Sequence, residues 1–213
     1  MPRIILASQS PRRKELLIKI GLEFEVIPAG INEEGLTANS PDELVQKLAI
    51  LKGRHIANKV ESGIIISADT IVVLNGQILG KPFNRDSAKA MLKTLSNNIH
   101  EVQTGLCLIN KDLDNELVIV EKTMVHFKSL TNEEIDFYIK TGEPMDKAGA
   151  YGIQGFASVF IKKIEGCYFN VVGLPLHRLY ELLISQGVNL MGGEGRVNGL
   201  QSYYKGHARG HEA

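Results

Sequence analysis

Apolar residues fall along this chain in two rhythms. Predominantly apolar runs, as at residues 4–7 and 64–74, alternate with stretches in which apolar positions recur every three or four residues. The runs predict strands over 4–7, 23–27, 64–74, 77–79, 102–109, 117–127, 159–164 and 168–172, and the spaced stretches predict helices. Leu16, Leu17 and Ile20 give the buried stripe of a first helix that starts at Ser10-Pro11. Further helices are expected over 41–60, 85–95, 131–141 and 174–186. Asn75-Gly76 between two apolar triplets is a two-residue hairpin signal. Strands and helices interleave from end to end, so the chain is read as mixed α/β.

The rhythm stops near residue 191. Six of the 21 glycines fall in the last 22 residues, a segment with too little apolar surface to offset its ordering entropy. We therefore expect one domain over 1–191 and a disordered tail over 192–213. His207 and His211 have helical spacing for a metal, but the surrounding glycines argue against a helix there.

Composition narrows the field by exclusion. Lys plus Arg equals Asp plus Glu, 24 against 24, so there is no bulk basic field to hold nucleic acid or an anionic membrane. No run approaches the about 18 apolar residues of a membrane helix, and a cytoplasmic location is expected. Cys107 and Cys167 each sit in strand-like sequence without a second cysteine or histidine at ligand spacing, which reads as buried free thiols in a reducing compartment.

Against that neutral background, the first helix start stands out. Ser8-Gln9-Ser10-Pro11-Arg12-Arg13 places a good N-cap and a proline at N1, then two cations where the helix dipole favours acids. Ser40-Pro41-Asp42-Glu43 and Thr131-Asn132-Glu133-Glu134 put acids at the same positions and read as ordinary capping boxes. Free amides, two hydroxyls and two guanidinium groups make the first start a phosphate site. The alternative is that Arg12 and Arg13 are solvated, or pair with Glu15 or a distant carboxylate.

Asp69 interrupts a β-branched run, Ile64-Ile65-Ile66 before it and Ile71-Val72-Val73 after it. A carboxylate there must pair with a cation, coordinate a metal or lie at a cleft mouth. The hairpin register brings Lys81 of Gly80-Lys81-Pro82 opposite Thr70. Glu33 offers a second carboxylate on a loop. Residues 143–155 carry a glycine every third position and no regular period, either a plain connector or a loop whose backbone approaches a ligand, with the Gln154 amide free to read a base edge.

Taken together, Ser-Gln-Ser-Pro-Arg-Arg, Ala-Asp-Thr, Gly-Lys-Pro, Asp-Lys-Ala-Gly-Ala-Tyr-Gly-Ile-Gln-Gly and Val-Gly-Leu-Pro occur in the order and spacing of the Maf nucleoside triphosphate pyrophosphatases, which the chain resembles over about residues 4–184. The resemblance implies an elongated two-lobed inosine-triphosphatase-like fold, a mixed sheet with a central cleft. It also implies hydrolysis of a nucleoside triphosphate to the monophosphate and pyrophosphate, with Mg2+ or Mn2+. By position it implies Asp69 as general base and Ser8, Ser10, Arg12, Arg13 and Lys81 as phosphate-binding groups. Glu33 and Asp69 would hold the metal, and Arg12, Thr70 and Gln154 match the subgroup acting on dTTP and UTP. A homodimer is plausible for such a fold. The runner-up is a non-catalytic nucleotide-sensing or partner-binding protein affecting cell division. Direct nucleic-acid binding ranks third, since 6% aromatic residues give no stacking platform.

Overall fold

The computed structural model describes residues 2–32 and 35–191. Glu33 and the glycine-rich segment 192–213, with His207 and His211, lie outside the described residues. One mixed sheet runs β2 (Glu25–Val26), β1 (Ile4–Leu6), β3 (Ile64–Leu74), β5 (Ile99–Asn110), β6 (Asn115–Phe127) and β7 (Ile161–Glu165), with β4 (Gln77–Leu79) also on β3. β2, β1 and β3 are parallel; the remaining pairings are antiparallel. The mixed α/β sheet expected from the two rhythms is the one observed.

β3 organises the molecule because its two edges differ. β5 pairs along it from Ile64 to Val73. The opposite edge is shared: β1 covers Ile64, Ile65 and Ile66, and β4 covers Val72, Val73 and Leu74. Residues 67–71 lie in the gap between them. β1 leaves the edge after Ala7, whose N–H still reaches the Ile66 carbonyl at 2.8 Å, and turns into α1 (Pro11–Lys19). A strand flanked by another strand at each end and open in the middle makes a cleft at that point.

Side-chain alternation then assigns the faces. Ile64, Ile66 and Ala68 pack with Leu16 and Leu17 of α1 and with Leu179 and Leu183 of α6 (Leu176–Ser185). Ile65 and Cys107 face the other way, against Ala49, Ile56 and Ala57 of α2 (Pro41–Ala57). Beyond the gap, Val72 and Leu74 join a separate core with Leu92 of α3 (Arg85–Leu95) and Ile135 and Tyr138 of α4 (Asn132–Lys140). These two cores on either side of the gap are the lobes the family resemblance implies.

α2 lies unusually close to the sheet. A Cβ on Gly105 would stand 2.2 Å from the Val45 carbonyl oxygen, and one on Gly53 would stand 2.7 Å from Ser67 Oγ. The contact is closed by a hydrogen bond that Ser67 Oγ donates to the Ala49 carbonyl at 2.7 Å.

Several elements depart from the sequence reading. Residues 168–172 form a short helix, α5 (Tyr168–Val172), instead of a strand. The buried Asn170 decides this, its amide donating to the Val102 carbonyl at 3.0 Å and to Thr123 Oγ1 at 2.9 Å. Gly173, at φ 120°, ends the turn as Leu174 N–H returns to the Phe169 carbonyl at 3.0 Å. Cys167 consequently caps this helix and is only partly buried, whereas Cys107 is buried in β5 and burial, with Glu116 adding to it, pushes its thiol up to about 12. β7 starts at Ile161 because Phe156–Phe160 is a 3-10 turn. In α2 the Glu43 carboxylate reaches the Asn39 N–H at 2.6 Å, one residue before the cap amide expected. No helix among the described residues is long and apolar enough to cross a membrane.

Candidate active site

The gap on β3 opens into a cleft of about 700 Å³. Ser8, Ser10, Arg12, Arg13, Asp69, Thr70, Lys81 and Gln154 all line it. Sequence reasoning placed these eight in one site, and they meet in one cavity; Glu33 is the candidate that lies outside the described residues.

Neighbours on a strand point to opposite faces, and Asp69 and Thr70 obey the rule. Asp69 turns toward α2, where Lys52 Nζ donates to its Oδ1 at 2.5 Å, both side chains about 15% exposed or less. Of the alternatives open for this carboxylate, pairing with a cation and lying at a cleft mouth are both realised. Thr70 turns toward α1. Its hydroxyl shares a hydrogen bond with Thr104 at 2.9 Å and accepts one from Arg13 Nη2 at 3.1 Å.

The two arginines of α1 divide their work. Arg13 donates Nε to the Gly173 carbonyl at 2.8 Å and Nη1 to Ser8 Oγ at 3.2 Å, besides the contact with Thr70. It thereby ties the β1–α1 loop, β3 and the α5–α6 junction into one unit. Arg12 reaches across the cleft to Asp146 at 3.2 Å, so the distant-carboxylate alternative holds for this residue. Asp146 also takes Lys147 Nζ at 2.6 Å. Burial works the other way, yet Lys147 and Arg12 hold the Asp146 carboxyl below the usual carboxylate range. Ser10 occupies the N-cap position, but its side chain makes no cap; its N–H instead donates to Ser8 Oγ at 3.2 Å.

The hairpin turn forms at Asn75 and Gly76, both with positive φ, 51° and 78°. The register Val72↔Leu79 extends to Thr70 opposite Lys81, although β4 ends at Leu79 and Lys81 stands exposed beyond it. The far wall is the 143–155 segment, three 3-10 turns in all with the one at Phe156–Phe160. Gly149 N–H donates to the Gly80 carbonyl at 3.0 Å, which joins this wall to the Lys81 loop. Below it, Tyr151 Oη meets His100 Nε2 at 2.7 Å; burial, with His126 adding to it, pushes His100 down to about 4 and leaves it neutral.

Lys52 was missed because it was read as helix. Its signal was present: Val45, Leu48, Lys52 and Ile56 follow the buried stripe of α2, and a lysine in an apolar stripe needs an acidic partner. Lys147 was passed over as part of a loop.

A family profile described as Maf-like protein matches residues 3–186. The chain belongs to the Maf-like proteins. Within that family it is 48% identical over 193 residues to the "dTTP/UTP pyrophosphatase" of Symbiobacterium thermophilum, covering 91% of this chain and 98% of the relative. It is 52% identical over 185 residues to the protein of the same name from Carboxydothermus hydrogenoformans, covering 87% and 99%. Among solved structures the Ham1 protein of Staphylococcus aureus is similar at a TM-score of 0.41 and 15% identity, covering 59% of this chain and 71% of that one. Membership in the Maf-like proteins rests on the family match and the close relatives.

Proposed function

We propose that this protein hydrolyses nucleoside triphosphates, dTTP and UTP foremost, to the monophosphate and pyrophosphate. The observation that carries the reading is the placement of one carboxylate, Asp69, at the open middle of β3 in a cleft that Arg12, Lys52 and Lys81 also line. The names of the close relatives support the choice of substrates.

The chemistry needs a positioned water, cationic groups for the phosphate oxygens and a held leaving group. Asp69 orients the water and takes its proton as the new O–P bond forms at the α-phosphorus. The bond from that phosphorus to the bridging oxygen breaks, and pyrophosphate leaves with the electron pair. Lys52 fixes the direction of Asp69 Oδ1. Arg12 and Lys81 bind phosphate oxygens, helped by Ser10, whose hydroxyl and first-turn amides are not committed to a cap. Arg13 acts mainly by holding Ser8 and Thr70 in place. At the far wall, Gln154 reads the base.

Asp69 is a hard oxygen donor at the cleft and suits Mg2+ or Mn2+, which use one or two carboxylates and complete their shell with substrate phosphates and water. No group of three acidic, histidine or cysteine residues converges among the described residues, so the nucleotide would supply most ligands, with Glu33 the proposed second carboxylate. When bound, the cation offsets phosphate charge in the transition state. The reading places the protein in the cytoplasm with the nucleotide pools, and includes a homodimer, which sedimentation tests.

The test is pyrophosphate release from each common nucleoside triphosphate with Mg2+ or Mn2+ present, and again in EDTA. Turnover of dTTP and UTP well above ATP and GTP, lost in chelator and restored by metal, is expected. Equal turnover of purines removes the substrate choice; no turnover of any nucleotide favours the sensing alternative, for which Asp69 and Lys52 have no evident use.

A further inference from the structure

The segment that carries Gln154 is shaped around a side chain that is not itself a candidate for chemistry. Tyr138, fully buried on α4, donates its hydroxyl to Glu143 Oε1 at 2.9 Å and accepts from Gly152 N–H at 3.3 Å. Glu143 Oε2 accepts from Phe156 N–H at 2.9 Å. Both oxygens of one carboxylate are therefore engaged, one by the core and one by the backbone just after the loop tip. Gly155 closes over the same group: a Cβ there would stand 2.0 Å from Oε1 and 2.5 Å from Oε2. Gly152 is also close-packed, its added Cβ falling 2.6 Å from Lys147 Cε. Residues 152–156 wrap the Glu143 carboxylate, and Gln154 at the centre of the wrap is exposed on the cleft wall.

The polarity of this arrangement is fixed. Burial first, then the Glu143 contact, raises the Tyr138 hydroxyl above its ordinary range, so it stays protonated and donates. Phe156 N–H can only donate. The group between them must accept at both of its terminal atoms, which a carboxylate does and an amide, whose nitrogen only donates, cannot. Any non-glycine residue at 155 would displace the carboxylate or the loop.

From this we infer that Glu143, held by Tyr138, is a positioning residue that sets the place of Gln154 against the base and thereby the base selectivity of the site. It acts on the nucleoside end of the substrate, through the loop, and leaves Asp69 and Lys52 on the opposite side of β3 untouched. The inference rests on the proposed reading of Gln154 as the base reader.

Two variants test it by independent routes, Glu143→Gln, which removes one acceptor, and Gly155→Ala, which crowds the carboxylate. For each, kcat and KM are measured with dTTP and ATP, binding of inorganic tripolyphosphate by calorimetry, and folding by thermal denaturation. The expected result is a KM for dTTP raised about tenfold, the net worth of one hydrogen bond, with kcat changed less than about threefold. The dTTP-to-ATP ratio of kcat/KM narrows by a similar factor, and tripolyphosphate binds as in wild type. A folded variant of either kind that keeps the wild-type ratio overturns the inference and leaves the proposed function standing. Equal loss of kcat for both nucleotides, or weaker tripolyphosphate binding, marks a general structural role and also overturns it. If wild type itself fails to prefer dTTP, the reading of Gln154 falls first and this inference falls with it. Should Glu143→Gln not fold, Gly155→Ala alone decides.

Discussion

Two helices in this protein begin Ser-Pro, and they finish the job differently. At α2, Ser40 Oγ accepts from Glu43 N–H at 3.2 Å, and Glu43 Oε2 takes Asn39 N–H at 2.6 Å. Lys47 first, then that Asn39 N–H, holds the Glu43 carboxyl below its ordinary range. With Asp42 beside it, the positive end of the helix is answered by its own residues. At α1 the cap hydroxyl is unused, no acid stands in the first turn, and Arg12 and Arg13 take those positions. Arg13 is engaged by Ser8, Thr70 and Gly173, while Arg12 meets Asp146 across the cleft. The N-cap dipeptide starts a helix in both places. The two residues after it decide whether the end is closed on itself by acids or carries cations that reach away from it.

The comparison breaks most visibly if the acid that shares the cleft with the open end is removed. Asp69→Asn is expected to lower kcat for dTTP by about 10²–10⁴-fold, the range of a general base, with circular dichroism unchanged. Asp42→Asn at the closed end, which loses an exposed pair with Lys122 and one first-turn charge, should leave kcat as in wild type. Steady-state pyrophosphate release separates the two. Next in size is Arg12→Ala: losing one charge-assisted contact should weaken dTTP binding by about 10–100-fold, read by calorimetry, with the melting temperature little changed because the Asp146 pair is exposed.

Arg13→Ala sharpens the division within α1. Relief of dipole repulsion alone would make the ligand-free protein slightly more stable. The three contacts predict the reverse, about 1–3 kcal/mol of destabilisation from acceptors left without a donor, seen in urea unfolding of the empty protein. The smallest effect is a crossed pair of caps. Ser40→Ala should cost about 1 kcal/mol of stability and no turnover. Ser10→Ala should stay within about 0.5 kcal/mol in unfolding, yet weaken nucleotide binding. Equal unfolding costs at the two serines would erase the distinction between the two ends.

Much of this was legible because it is local. The β1–α1 start, the long β3 run, the Asn75-Gly76 turn and the Thr131 capping box each follow from neighbours in sequence, and each formed. Asp69 was legible for the opposite reason, as a charge in a run that should exclude one. What stayed hidden depends on distant partners. α5 contains Val171 and Val172, which favour a strand, and is bent into a helix by Asn170 reaching Val102 and Thr123. Lys52 acquires its meaning only when α2 is laid on the sheet and Asp69 comes within 2.5 Å. The 143–155 segment has no single period because its short 3-10 turns are strung between side-chain anchors, with Glu143 held by Tyr138 and by the Phe156 N–H.

Gly105 pairs with Asp69 across the β3–β5 ladder, and it is also where the Val45 carbonyl of α2 presses into the sheet. That coincidence makes the helix-to-sheet spacing a tolerance in the machinist's sense. Lys52 is delivered to Asp69 by a helix whose height is gauged at this point, and a single methyl group, whose carbon would stand 2.2 Å from the Val45 oxygen, would act as a spacer under the whole rod. A close constraint on the proposed general base therefore falls on a residue with no functional group, one that searches for catalytic chemistry pass over and that mutational surveys would score as catalytic.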